Sequence, residues 1–284
     1  LGSSFVKIAL LDYKKNKQVS LIKEPASEME IISLKDSWAE QDPELWWKYI
    51  CNGTKKIIKK TKINKDLIKA IGISYQMHGL VLLDDKKELI RNSIIWCDSR
   101  AINIGNKAEK EIEIEILRNN LLNTPGNFTV SKLKWVMENE PDLYKKVKYF
   151  MLPGDYIAYK LTGEISTTIN GLSEAILWDF KSNSTADWLL DYFGIDKSFI
   201  PRVVNNFQEQ GRINKKASEE SGLPYNIPLK YRAGDQPNNA FSLNVLNPGE
   251  IAATAGTSGV LFSLTDSLKT NEISRINHFA HVNY

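Results

Sequence analysis

Three features of the sequence predict an α/β fold. Short apolar runs alternate with amphipathic stretches of helical spacing, Asp-Pro and Gly mark helix starts and stops, and polar or glycine-bearing loops follow the apolar runs. The 284 residues have room for one large domain or two ordinary ones of roughly 150 residues each.

Residues 5–11 read as a strand and residues 12–16 as the polar turn after it. Asp42-Pro43-Glu44 starts a helix, with Asp as the cap, Pro at the first helical position and an acid in the first turn. Trp46, Ile50, Ile57 and Thr61 then fall on one side of it. The continuous apolar run 70–74 predicts a strand covered on both faces. Residues 80–83 and 94–96 are further strands, with helices over 99–118 and 130–138, the second stopped by Glu140-Pro141. Residues 149–152 form a buried strand that Pro153-Gly154-Asp155 turns into a helix. Weaker helices end at Gly194 and Gly222, where glycine suits a C-terminal cap. Residues 229–233 form a strand running into a helix start at Gly234-Asp235-Gln236-Pro237, and residues 251–263 form two strands around Gly256-Thr257-Ser258-Gly259. Residues 1–246 are expected to form one domain and 247–284 the start of another, with the break at Leu246-Asn247-Pro248-Gly249. Both ends read as interrupted: Gly2-Ser3-Ser4 has the form of a hairpin turn without its first strand, and Tyr284 has no terminator.

Composition excludes several classes. Hydrophobic residues are 42%, charged residues 25% and aromatics 10%, which rules out a disordered or collagen-like chain. Against 34 acids stand 37 Lys and Arg, and a net charge of +3 does not imply a nucleic-acid partner. The basic run 55–60 alternates charged and aliphatic doublets, which reads as a solvated helix face. No apolar run approaches the roughly 18–20 residues of a spanning helix, so no membrane is expected. Cys51 and Cys97 form no CxxC pair and are expected as buried packing in a reducing cytoplasm. His278 and His281 lack a third ligand at suitable spacing, so no metal site is expected from them.

The chemistry concentrates in loops. Gly2-Ser3-Ser4, Gly234-Asp235 and Gly256-Thr257-Ser258-Gly259 can turn backbone N–H groups and hydroxyls toward an anion, or can serve as plain turns. Neither GxxxxGK[ST] nor GxGxxG occurs, so the two best-known nucleotide motifs are not claimed. Asp235 stands at a strand's C-terminal end, where ligands of open α/β sheets gather, and fits either a catalytic base or a helix cap. The loop Gln76-Met77-His78-Gly79 sets an amide, a thioether and an imidazole after a strand, as ligand groups or as packing. Trp96-Cys97-Asp98-Ser99-Arg100 offers either ligand groups or an Asp–Arg ion pair beside a core Trp.

Taken together and in order, these loops resemble the FGGY family of carbohydrate kinases, and within it the xylulose-phosphorylating branch, to which Gln76-Met77-His78-Gly79 looks similar. The match also takes in Lys7, the segment from Trp38 to Pro43 before Trp46-Trp47, Ser131-Lys132-Leu133-Lys134-Trp135, Leu152-Pro153-Gly154-Asp155-Tyr156 and Leu161-Thr162-Gly163-Glu164. The resemblance implies an actin/hexokinase-type fold of two ribonuclease-H-like lobes, mainly the first being present, with sugar and ATP in the cleft. It implies ATP-dependent phosphorylation of D-xylulose to the 5-phosphate with Mg2+, and Asp235 as the base that takes the hydroxyl proton. Gln76, Met77, His78, Trp96, Asp98, Arg100 and Gln236 are then expected at the sugar. Gly2, Ser3, Ser4 and Lys7, with Gly256, Thr257 and Ser258, are expected at the ATP phosphates. Gln236 departs from the Asn common in the xylulose branch and matches glycerol kinases, which leaves glycerol, gluconate and ribulose open as acceptors; a sugar-binding lobe without catalysis is the other reading. The family's aspartate before the first glycine loop has no counterpart in residues 1–284, nor has most of its adenine pocket. A cytoplasmic protein, with a homodimer as an allowed assembly, completes the expectation.

Overall fold

The computed structural model describes residues 1–255, 259–268, 270–273 and 275–284. It opens with a hairpin. Strand β1 (Val6–Asp12) turns through residues 13–16, where Asp12 Oδ1 accepts the Lys14 and Lys15 N–H groups, and returns antiparallel as β2 (Lys17–Glu24). The sequence does not announce β2, because its apolar Val19 and Leu21 are exposed while the polar Ser20 and Glu24 are the buried positions. After the short β3 (Glu40–Gln41), α1 (Pro43–Thr61) starts as expected: the Asp42 carboxylate accepts the Glu44 N–H at 2.9 Å. Trp46, Ile50 and Ile57 are buried beneath it, and its inner face lies across the hairpin.

The middle of the chain follows as β4 (Ile71–Tyr75), β5 (Val81–Leu83) and β6 (Ser93–Ile94). Next come α2 (Ile102–Glu111), α3 (Ile114–Ile116) with a π turn behind it, α4 (Thr129–Asn139) and α5 (Pro141–Tyr144). Then follow β7 (Tyr149–Met151), α6 (Pro153–Thr162), β8 (Ser166–Thr168), α7 (Ile169–Glu174), β9 (Trp178–Asp179), β10 (Ser184–Thr185) and α8 (Asp187–Phe193). The chain continues through β11 (Arg202–Val204), α9 (Lys215–Ser221), β12 (Leu229–Gly234) and α10 (Asp235–Ser242) to the hairpin of β13 (Ile251–Ala255) and β14 (Gly259–Ser263). Gly194 and Gly222 close α8 and α9 at φ 68° and 76°, a left-handed conformation that glycine adopts without steric cost.

Two pairings are parallel, β4 with β12 and β8 with β11. The pairs β1–β2, β3–β6, β5–β7, β9–β10 and β13–β14 are antiparallel. Alternate residues of a strand point their backbone groups to opposite edges. On the edge of β4 away from β12, the Leu1 N–H accordingly donates to the Ser74 carbonyl at 2.6 Å, and the Leu1 carbonyl accepts from Gln76 N–H at 2.7 Å.

Four expectations need correction. Only alternate positions of β4 are covered: Ile73 and Tyr75 are buried on the face under α6, whereas Gly72 is exposed. The strand expected over 94–96 ends at Ile94, and Trp96 turns outward at 53% exposure instead of entering the core. The helix expected over 99–118 breaks after Glu111, because Ile112 adopts an extended backbone (φ −93°, ψ 133°). Cys51 is buried as expected, but Cys97 is exposed, having followed Trp96 into the outward turn; both are free thiols. The main core joins α1, β4, β5, β7, α4, α6 and α8, while Ala240, Val245 and Ala252 form a small separate cluster with Phe262 and Leu264. Among the described residues no helix is long and apolar enough to cross a membrane.

Candidate active site

The parallel pair β4–β12 fixes the site. Its register sets Tyr75 beside Gly234, so the loop Gln76–Gly79 and the residue Asp235 leave the sheet side by side at its carboxyl edge. Gly234 allows this closeness. A Cβ there would lie 2.4 Å from Glu174 Oε2 and 2.5 Å from Met77 Cγ, distances at which neighbours must move.

Asp235 is the first helical residue of α10, and Gly234 holds the cap position. Burial raises the Asp235 carboxyl above its usual range, with the Gln236 backbone N–H opposing the shift. A carboxylate so poised is a better proton acceptor than an exposed one.

His78 sits at φ 60°, left-handed for a residue with a Cβ. Its Nδ1 lies 2.9 Å from the Glu174 carbonyl oxygen, so Nδ1 carries the proton and Nε2 remains as an acceptor. Burial lowers the imidazole to about 3, and the nearby Lys132 charge pushes the same way, so the ring is neutral at physiological pH. Phe128 and Phe279 flank it at centroid distances of 4.8 and 5.3 Å.

A layer of buried polar groups lies under this surface. Arg232 is fully buried, its Nε 3.1 Å from Asp155 Oδ1, and it donates to the Ser166 carbonyl. Burial holds the Glu174 carboxyl well above the usual carboxylate range, with the buried Tyr75 beside it. Lys132 is also fully buried and donates to the carbonyls of His78 at 2.8 Å and Ile95 at 3.0 Å. Burial brings its ammonium down to about 7, opposed by Asp98.

The structure brings Asp235, Met77 and His78 together and adds Ser3 and Trp96 nearby, the Trp96 indole N–H donating to Ser3 Oγ at 3.2 Å. Gln76 is buried and donates to the Gln41 amide oxygen at 3.3 Å; Gln41 in turn donates to the Ser3 carbonyl. Gly2 makes the turn before β1, its N–H on the Phe5 carbonyl, Ser4 accepts the Met29 N–H on its carbonyl, and Lys7 is exposed on β1. Gln236 follows Asp235 in the first turn of α10.

Asp98 and Arg100 pair with each other. Asp98 accepts the Ala39 N–H at 2.6 Å and pairs with the Arg100 guanidinium, which also reaches Glu40 and stacks 3.8 Å over the Trp38 ring. The ion-pair reading therefore holds for them, without the core Trp, and their polar atoms are engaged with protein. Gly256, Thr257 and Ser258 lie outside the described residues. Sequence reasoning singled out neither Glu174, Lys132, Phe128 nor Phe279. Lys132 stood inside a quoted motif, but nothing local marks the other three, which reach His78 from distant segments.

A proton acceptor, a neutral imidazole and a thioether therefore share one edge, a set able to bind a polyol and accept its hydroxyl proton. Among the described residues no group of three His, Cys, Asp or Glu side chains is assembled.

Comparison with known proteins bears on this site. A family model described as "FGGY family of carbohydrate kinases, N-terminal domain" matches residues 1–242. A xylulose kinase of Staphylococcus xylosus is 30% identical over 248 residues, covering 87% of this chain and 51% of the relative. A glycerol kinase of Thermococcus onnurineus is 28% identical over 232 residues, covering 80% and 46%. Among solved structures, a xylulose kinase from Rhodospirillum rubrum superposes with a TM-score of 0.90 over 99% of this chain and 57% of that one; at 22% identity it shows the shared fold. The chain spans about half the length of the curated relatives it matches.

Proposed function

Because the chain belongs to the FGGY family of carbohydrate kinases, we propose that it supplies the sugar side of an ATP-dependent kinase that converts D-xylulose to D-xylulose 5-phosphate. The observation that carries this reading is the juxtaposition of Asp235 with Met77 and His78 at the joined ends of β4 and β12. Asp235 takes the proton of the attacking sugar hydroxyl as its oxygen bonds to the γ-phosphorus and the bond to ADP breaks. Neutral His78 accepts a hydrogen bond from a second sugar hydroxyl at Nε2, while Met77 packs on the apolar side of the sugar. Gln76, Trp96 and Gln236 complete the sugar face, and Asp98 and Arg100 brace it from behind through Ala39, Glu40 and Trp38.

Gly2-Ser3-Ser4 with Lys7, and Gly256-Thr257-Ser258, are assigned to the ATP phosphates. Kinases of this family use ATP and a divalent metal, which makes ATP the phosphoryl donor and Mg2+ the metal expected beside its phosphates. Residues 1–246 are assigned to the sugar domain and 247–284 to the start of the nucleotide domain, a division supported by the family match ending at 242. The enzyme is placed in the cytoplasm.

A second reading, another polyol as acceptor, is favoured by Gln236 and by the similarity to the glycerol kinase. The deciding experiment measures ADP release by the complete protein with D-xylulose, D-ribulose, D-gluconate and glycerol. The highest kcat/KM on D-xylulose supports the first reading, and a higher value on another acceptor replaces it. No release with any of them leaves a binding lobe only.

A further inference from the structure

We propose that Lys132 is a positioning residue, clamping the His78 loop to the Trp96 loop and so presenting His78 to the acceptor sugar. This rests on the reading of His78 as a sugar-facing group. Lys132 lies within α4 among Val130, Leu133 and Val136, all fully buried. An ammonium in such a place loses its hydration, and a Leu or Met would pack there at less cost. What the lysine adds is a bridge. Two of its protons go to carbonyls in separate segments, His78 at 2.8 Å and Ile95 at 3.0 Å, and Ile95 is the residue before Trp96.

His78 needs such a hold. A left-handed backbone at a non-glycine residue is unfavourable and persists only where its surroundings impose it. Two contacts impose it here: Nδ1–H on the Glu174 carbonyl fixes the ring, and Lys132 on the His78 carbonyl fixes the peptide. With both made, Nε2 has one direction. With Lys132 removed, the peptide is free to relax and the ring to leave Glu174.

The test uses the complete protein with Lys132→Met, of similar volume but without donors, and Lys132→Gln, which keeps an amide donor. Lys132→Met is expected to raise KM for D-xylulose about tenfold while KM for ATP stays within about twofold, with Lys132→Gln between wild type and Met. In a His78→Ala background the same substitution is expected to have little further effect, since the lysine acts through His78. Equal rises in both KM values, or effects that add fully in the double variant, would overturn the proposal. If Lys132→Met does not fold, Lys132→Gln decides on the same split. An arm independent of activity separates this proposal from the proposed function. In histidine-15N NMR, His78 (identified by its loss in His78→Ala) is expected as a single Nδ1–H tautomer in wild type and as a mixture in Lys132→Gln. A protein active on no sugar defeats the proposed function, while an unchanged His78 tautomer in the variant defeats the clamp.

Discussion

The strand pairs β5–β7 and β4–β12 both carry fully buried side chains, but of different chemistry. Around β5–β7 the fully buried side chains are Leu80, Val81, Leu82, Leu83, Phe150, Met151 and Leu152, all apolar. Around β4–β12 the same depth holds Tyr75, Asp155, Glu174 and Arg232, with Lys132 close by under the His78 loop. An apolar core is enough to fold a chain of this size, and buried charges are retained at a cost in desolvation. The polar layer lies directly beneath Asp235, Met77 and His78, where angstrom-scale placement of groups matters most. Loss of packing should therefore lower stability in one region, and loss of polar contacts should lower activity in the other.

The largest expected effect falls at the site. Asp235→Asn keeps the shape of the side chain but removes the proton acceptor. In the complete protein kcat should fall by about 10²–10⁴ with little change in sugar affinity. Near-normal turnover would remove Asp235 from the mechanism. Leu82→Ala tests the other region: an unfolding free energy lowered by about 2–5 kcal/mol in denaturant titration, with kcat per folded molecule unchanged. A loss of turnover without loss of stability would erase the contrast.

His78→Ala should raise KM for D-xylulose well above any change in KM for ATP, and equal changes would make His78 a packing residue. The smallest effect is a slope. Glu174 has a folded pKa raised by burial, so its contribution to stability is complete below the unfolded value of about 4.3 and is lost as pH rises toward the folded value. Glu174→Gln stays neutral throughout and lacks that loss. Its Tm relative to wild type should therefore climb as pH rises from 4 to 8, and a falling difference would show that Glu174 is ionised in the fold.

The contrast also explains what the sequence could disclose. Local chemistry announces itself: Asp42-Pro43 caps α1, Gly194 and Gly222 end their helices, and Gly234-Asp235 marks the turn from strand to helix. The ordered loops then disclose family, fold and kinase class together. Exposure is less legible, because Ile94-Ile95-Trp96 reads as one apolar run, yet the backbone turns after Ile95 and carries Trp96 and Cys97 outward. Partners far apart in the chain are not legible at all. Asp98 and Arg100 are polar residues in a loop until Ala39, Glu40 and Trp38 engage them. Glu174 and Phe279 join the site only through tertiary contact with His78.

The pairing of β4 with β12 has a consequence for how the molecule is made. Tyr75 is made well before Gly234, with most of the FGGY N-terminal domain between them. Closing so long a loop carries an entropic cost and slows folding relative to local hairpins such as β1–β2. Until β12 arrives, one edge of β4 stands open, and Met77 and His78 have no Asp235 beside them. The cluster of Asp235, Met77 and His78 therefore does not assemble gradually during synthesis. It is completed only when β12 is added, so a chain interrupted before residue 229 lacks Asp235 and the strand that sets it beside β4.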